Sequence, residues 1–300
     1  MPYLQKSDIP KPIGYIPTAE ELEGFKAAQK LAYAAADAVA SELKPGMTEK
    51  QAAKMQDIWL RDHGVNDWLH APFAWFGDRT AFQGFKVAVQ FLPTNKRLEE
   101  DMPFILDNAP VLNGYTADIG YAGVLGQNTI LDKILDDLAE HRALILKLIR
   151  QGITMSDVSK AVDRLTLNQG YEPRHKAYPF EVLAHQVTRM EPRTTPRSTM
   201  PFKFGIDFLS TLGRVALVAK SQGWSPLWSS NEGSNHRPIP GLWAVEPHLG
   251  FRGVGAKFEE LLVITEDDAY WLDDAVPHVE RWKSKGLWME KEDSLLEKAS

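Results

Sequence analysis

Pro103-Phe-Ile-Leu-Asp107-Asn-Ala-Pro-Val-Leu-Asn-Gly114-Tyr-Thr-Ala-Asp118-Ile119 is the stretch on which the fold of this chain turns. The apolar run before Asp107 predicts a strand that ends there. Gly114 predicts a turn, and a second strand carries Asp118. A hairpin of this length brings two carboxylates, 11 residues apart, to one face near the same end. Carboxylates a few ångströms apart repel, and their placement is costly unless a cation or a proton lies between them. The segment by itself also fits an Asp that forms a turn or sits solvated at a strand end.

Three further segments extend the pattern. Gly241-Leu-Trp-Ala-Val-Glu246-Pro-His248 ends an apolar run on a carboxylate. Lys257-Phe-Glu259-Glu-Leu-Leu-Val-Ile264 continues to Leu272 as strand, turn, strand, with Glu259 where a sheet begins. Phe180-Glu-Val-Leu-Ala-His185 places a histidine after apolar residues. Singly, these read equally well as solvated strand ends and a structural histidine. The chain has no cysteine, which excludes disulfides, thiolate nucleophiles and Cys-based zinc or iron–sulfur sites. Any metal must therefore be held by His, Asp or Glu.

Around these segments lies a repeat. Gly46-Met-Thr48 leads through a helix-compatible stretch to Gly64, and Gly152-Ile-Thr154 leads in the same way to Gly170; both intervals are 18 residues and the copies are offset by 106. Each follows an amphipathic helix, expected over 19–43 (opened by a Thr18/Glu21 capping box) and 129–149. Two related helix–turn–helix–strand halves in one domain follow from this, unless two Thr N-caps recur by chance. The expected layout is an extended arm over 1–17, a domain over 18–275 with a long loop at 191–240, and a tail over 276–300. The chain is 44% hydrophobic with a net charge of −6, and it has no basic stripe with interleaved aromatics, so no nucleic-acid partner is expected. The opening residues lack the pattern of a signal or transit peptide, and no stretch approaches the roughly 18 apolar residues of a membrane span. A cytoplasmic protein with no membrane partner is expected.

The ordered set of an Asp pair, a His, a Glu-Pro and a Glu at a strand start resembles the methionine aminopeptidase/creatinase superfamily, over roughly residues 19–273. The resemblance implies the α+β pita-bread fold, with two pseudo-symmetric helix–strand halves around a curved antiparallel sheet. It implies two divalent metal ions held by Asp107, Asp118, His185, Glu246 and Glu259. Asp107 would be bidentate to one ion, Asp118 and Glu259 would bridge, and His185 and Glu246 would complete the other shell. Such an oxygen-rich set suits Mn or Fe and admits Co or Zn. The implied activity is hydrolysis of an amide or C–N bond in a small molecule or short peptide through a metal-bridging hydroxide, with Glu246 and His185 catalytic. A homodimer is expected.

The chain departs from that pattern around the metal ligands. The His-Gly-x-Pro segment that precedes the first Asp in the family is Val89-Gln90-Phe91-Leu92-Pro93 here, and Gly-His-Gly-Ile-Gly is Ala184-His185-Gln-Val-Thr188. Pro192 stands near the place of a second histidine. Lost oxyanion-type donors each cost about 10²–10³ in rate, which puts ordinary peptide cleavage in question. His70 and His236 are candidate replacements, each also readable as a core or surface histidine. Gln90, Arg189, Arg237 and Trp243 are candidate substrate contacts, with Arg193, Arg197 and two further tryptophans, Trp224 and Trp228, in the same region; packing and loop solubility are the plainer readings. Relatives with an N-terminal domain use it to close the site, where this chain has the short arm. Three functions follow in order: a metal-dependent hydrolase, a lyase or iron-dependent oxidative enzyme on the same centre, and a non-catalytic binding module.

Overall fold

A computed structural model describes residues 15–190 and 223–288, together with Leu217 and Ser221. Two helix pairs carry the repeat. Helices α1 (Ala19–Glu42) and α2 (Glu49–Asp62) form the first, and α3 (Thr129–Arg150) and α4 (Met155–Asn168) the second. The shorter helix of each pair opens on a threonine: the Thr48 hydroxyl accepts from the backbone N–H of Gln51, and that of Thr154 from Asp157. Gly46, Gly64, Gly152 and Gly170 all adopt positive φ, which only glycine takes without strain. After each second glycine the chain turns back identically, Val65 N–H bonding to Leu60 and Tyr171 N–H to Thr166. The Thr18 capping box with Glu21 opens α1. Alanines 28, 32, 35 and 36 on α1 are fully buried, and α1 lies on the first sheet.

That sheet contains β1 (Asp67–Phe76), β2 (Met102–Leu112), β3 (Tyr115–Thr116) and β4 (Ile119–Leu125), with β2 pairing to all three others. The second contains β5 (Glu172–Pro173), β9 (His248–Phe251) and β10 (Val254–Lys257). In the third the order is β12 (Ala269–Trp271), β11 (Glu260–Ile264), β8 (Gly241–Val245), β6 (Ala184–Val187) and β7 (Leu227–Trp228). All pairings are antiparallel. An isolated bridge between Gly120 and Glu259 joins the first sheet to the third.

Two expectations change. The strand through Asp107 does not end there but runs on to Leu112, with the turn at Asn113-Gly114, both at positive φ. Asp107 is tolerated in mid-strand because its side chain is paired, as described below. The segment 276–300 is not wholly a tail. Pro277–Ser284 forms α5, whose Trp282 is buried and donates to Leu135 of α3, while Arg281 pairs with Asp132 and Asp136. Most of 191–222, including Pro192, Arg193 and Arg197, lies outside the described residues, as do 1–14 and 289–300. No described helix is long and apolar enough to cross a membrane.

Candidate metal centre

The lateral register of the strands assembles the site. Phe73 pairs with Asp107, Asp107 with Gly120, and Gly120 bridges to Glu259. Residues in such a row project to one face, as do residues two positions along each strand. Asp118 and Lys257 therefore join Asp107 and Glu259 on that face. One step along, Glu260 pairs with Val245 and Val245 with Ala184, which places Glu246 and His185 at the same end of the third sheet. His70 arrives from β1, opposite Ala109, between two register shifts. Bulges of this kind re-aim a side chain.

The seven side chains meet in a buried cluster. His70 Nε2 is 3.0 Å from Asp118 Oδ1 and 3.4 Å from Asp107 Oδ1. His185 Nε2 is 3.1 Å from Asp118 Oδ2 and 4.0 Å from Glu259 Oε1. Asp118 thus lies between both histidines. Lys257 Nζ is 2.5 Å from Asp107 Oδ2, 2.7 Å from Glu259 Oε2 and 3.0 Å from Glu246 Oε2. Among the described residues, two groups have ligand atoms close enough to hold an ion: His70, Asp107 and Asp118, and Asp118, His185 and Glu259.

The electrostatics follow from packing four carboxylates out of water. Burial raises the pKa of Glu259 well above its usual range, and the Asp118 and Glu246 charges raise it further against the pull of Lys257. Glu246 is raised as well, again chiefly by burial. Burial works against an ionised Asp118, but the two histidines outweigh it and hold that carboxyl well below its usual range. For His70, burial favours the neutral ring; Asp118, then Asp107, overcome this and push it up to about 9. His185 is raised by the same aspartate against the same opposition. Lys257 stays an ammonium, because the surrounding carboxylates outweigh its burial.

The residues fit a divalent cation. Asp107 Oδ1 is buried with no hydrogen-bond partner among the described residues, and four buried carboxylates converge there. The donors are oxygens and imidazole, a set suited to Mn or Fe. Lys257 escaped the sequence reading, where it is one charged residue before a strand; its place became visible only through the pairing across Gly120.

The other candidates have different surroundings. His236 accepts from the N–H of Ser225, and its carbonyl accepts from Met155 at the start of α4. The Gln90 side chain accepts from the N–H groups of Lys86 and Val87 in an exposed loop. Arg189 stacks over Tyr115, with Glu21 at 3.9 Å. Arg237 is exposed beside Gly152. Trp243 is fully buried against Trp228 and donates to the carbonyl of Ile239, and Trp224 joins the same core.

A family model described as metallopeptidase family M24 matches residues 23–266. An uncharacterized peptidase of Staphylococcus saprophyticus is 24% identical over 162 residues, covering 54% of this chain and 45% of that protein. The X-Pro aminopeptidase from Thermotoga maritima superposes with a TM-score of 0.63 at 16% identity, over 88% of this chain and 63% of that one. A dipeptidase from Pyrococcus horikoshii gives 0.63 at 18% identity, over the same shares. The chain thus spans under half of the first relative and less than two thirds of the solved chains. The fold it shares with them is the α+β pita-bread fold.

Proposed function

The chain belongs to metallopeptidase family M24, and from that premise we propose that it is a metal-dependent hydrolase acting on an amide or other C–N bond of a small molecule or short peptide. The observation that carries this reading is the convergence on Asp118. Both histidines reach it, and it is common to both groups of potential ligands. Asp107, Asp118, His185, Glu246 and Glu259 are proposed as ligands, with His70 beside them and Mn or Fe as the metal. A bound divalent ion supplies Lewis acidity, polarising a substrate carbonyl and acidifying water.

The protein's own groups supply proton handling and orientation. Burial raises the Glu246 carboxyl above its ordinary range, which favours its taking a proton and returning it to a leaving amine. His70 is fixed by Asp118 through Nε2 and by the Ala71 carbonyl through Nδ1, and adds a cationic ring beside the proposed ligands. The Phe73 ring lies 5.1 Å from that of His70 on one side of the cluster.

One observation favours a second reading. His70 and His185 around a single aspartate make a two-His, one-carboxylate set, the kind that suits non-haem Fe(II) chemistry. The test is a dipeptide and amide screen on chelator-treated protein reconstituted with Mn2+ or Fe2+, run with and without oxygen. Oxygen-independent cleavage restored by either metal supports hydrolysis. A requirement for oxygen selects the second reading, and activity indifferent to chelation sinks both.

A further inference from the structure

His70 and His185 stand at matching places in the two halves. In the first sheet β2 pairs with β1 and β4; in the third, β8 pairs with β6 and β11. His70 comes from β1 and His185 from β6, so each flanks the strand that carries or leads into a candidate ligand. Each lies opposite an alanine of that strand, Ala109 and Ala244, two residues from Asp107 and Glu246 respectively. Residues two apart in a strand share a face, so both rings are turned toward carboxylates.

The rings are also oriented alike. His70 Nδ1 lies 3.0 Å from the carbonyl oxygen of Ala71, and His185 Nδ1 lies 3.4 Å from that of Gln186. A carbonyl oxygen only accepts, so each Nδ1 carries the hydrogen and Nε2 is the atom turned to the cluster. Metal-bound histidines give their other N–H to a carbonyl or carboxylate in this way, which fixes the ring for coordination. Nε2 of His70 faces Asp118 Oδ1 at 3.0 Å and Asp107 Oδ1 at 3.4 Å. Nε2 of His185 faces Asp118 Oδ2 at 3.1 Å and Glu259 Oε1 at 4.0 Å. Each histidine thus has its own oxygen of Asp118 and an oxygen of one further carboxylate. The ligand atoms of each trio lie within 4.8 Å of one another. Donors about 2.0–2.6 Å from a shared ion stand no further apart than roughly 5 Å, so each trio can close on one ion. The oxygens of Asp107 and Glu259 that meet Lys257, Oδ2 and Oε2, are the opposite ones.

We propose that His70 is a metal ligand, the counterpart of His185, so that each of two divalent ions has its own imidazole. One ion lies among His70, Asp107 and Asp118, the other among Asp118, His185 and Glu259. This rests on the metal-dependent reading above and adds His70 to its ligands.

The test is proton NMR of metal-free full-length protein loaded with Co2+, with bound metal measured after desalting. The unpaired electrons of Co2+ shift the Nδ1–H of a coordinated imidazole far outside the ordinary proton range, which a neighbouring but uncoordinated ring does not show. Wild-type protein is expected to give two such signals. His70→Gln, whose amide can still donate to the Ala71 carbonyl, is expected to lose one of them, and His185→Gln the other. Any count other than two from Co2+-loaded wild type overturns the proposal while leaving metal dependence intact. Two signals that both survive in folded His70→Gln, or that both vanish from it, overturn the assignment of one histidine to each ion. His70→Asn replaces His70→Gln if that variant does not fold, and the wild-type count decides if neither does. Wild-type protein that binds no Co2+ removes the metal-dependent reading as well.

Discussion

Replacing Asp118 with asparagine keeps the shape of the side chain and removes the charge that both histidines face. His70 stands at about 9, above its ordinary 6.5, because Asp118 outweighs the burial that would otherwise favour the neutral ring. At roughly 1.4 kcal/mol for each tenfold in acidity, that rise corresponds to about 3 kcal/mol favouring the protonated ring in the folded protein. A pKa raised on folding contributes stability that is fully present below the unfolded value and lost as pH rises through the folded one. Metal-free wild-type protein therefore loses roughly this amount between pH 6.5 and about 9 through His70. In Asp118→Asn, Asp107 remains at 3.4 Å, but the largest opposing charge is gone and His70 returns to 6.5 or below. Histidine proton NMR titration of both metal-free proteins, with His70 assigned through His70→Gln, measures this directly. Urea unfolding at pH 6 and pH 9 should show the steeper loss in wild type. A His70 that still titrates near 9 in Asp118→Asn would refute the account of what holds its proton.

Two further predictions concern the frame around the site. Arg142 is buried on α3 and grips Glu260, next to the proposed ligand Glu259, through Nε at 2.6 Å and Nη2 at 2.9 Å. Arg142→Leu leaves that carboxylate buried with His278 as its remaining side-chain partner, and is expected to cost about 3–5 kcal/mol, or roughly 10 °C in a thermal melt; a loss below 1 °C would contradict it. Thr48→Ala and Thr154→Ala remove equivalent caps and should each cost about 1 kcal/mol in denaturant unfolding. A cost confined to one of them would show that the two halves do not share the same helix start.

The sequence made the helical frame legible because its signals are local. A threonine N-cap and a glycine at positive φ act within a few residues, so the 18-residue interval between glycines carried over directly into two matched helices. The strand through Asp107 read short because an aspartate in an apolar run ordinarily marks the strand's end. Here β2 continues, since Lys257 from the next sheet neutralises one of its oxygens, a contact 150 residues away in sequence. Trp243 read as a possible pocket wall because tryptophan serves surfaces and cores alike; full burial against Trp228 decides between them.

The site itself is organised across strands, and that dimension is absent from spacing. Asp107, Gly120 and Glu259 are neighbours only because two sheets meet at the Gly120 bridge. In sequence, Gly120 is one glycine after an aspartate and Lys257 one lysine before a phenylalanine. Together they form a lock and its key: the absent Cβ admits the stem, and the stem carries a charge into the carboxylates. The same geometry distinguishes His70, which the register shifts turn toward Asp118, from His236, which caps a helix start. The five candidate ligands inferred from order are therefore part of a larger buried cluster. Its two additional members, Lys257 and His70, are both cationic in the metal-free protein, and they stand at carboxylates that an incoming ion would share. In the metal centre proposed above, an incoming ion would therefore have to displace the His70 proton from Asp118 and share Asp107 with Lys257.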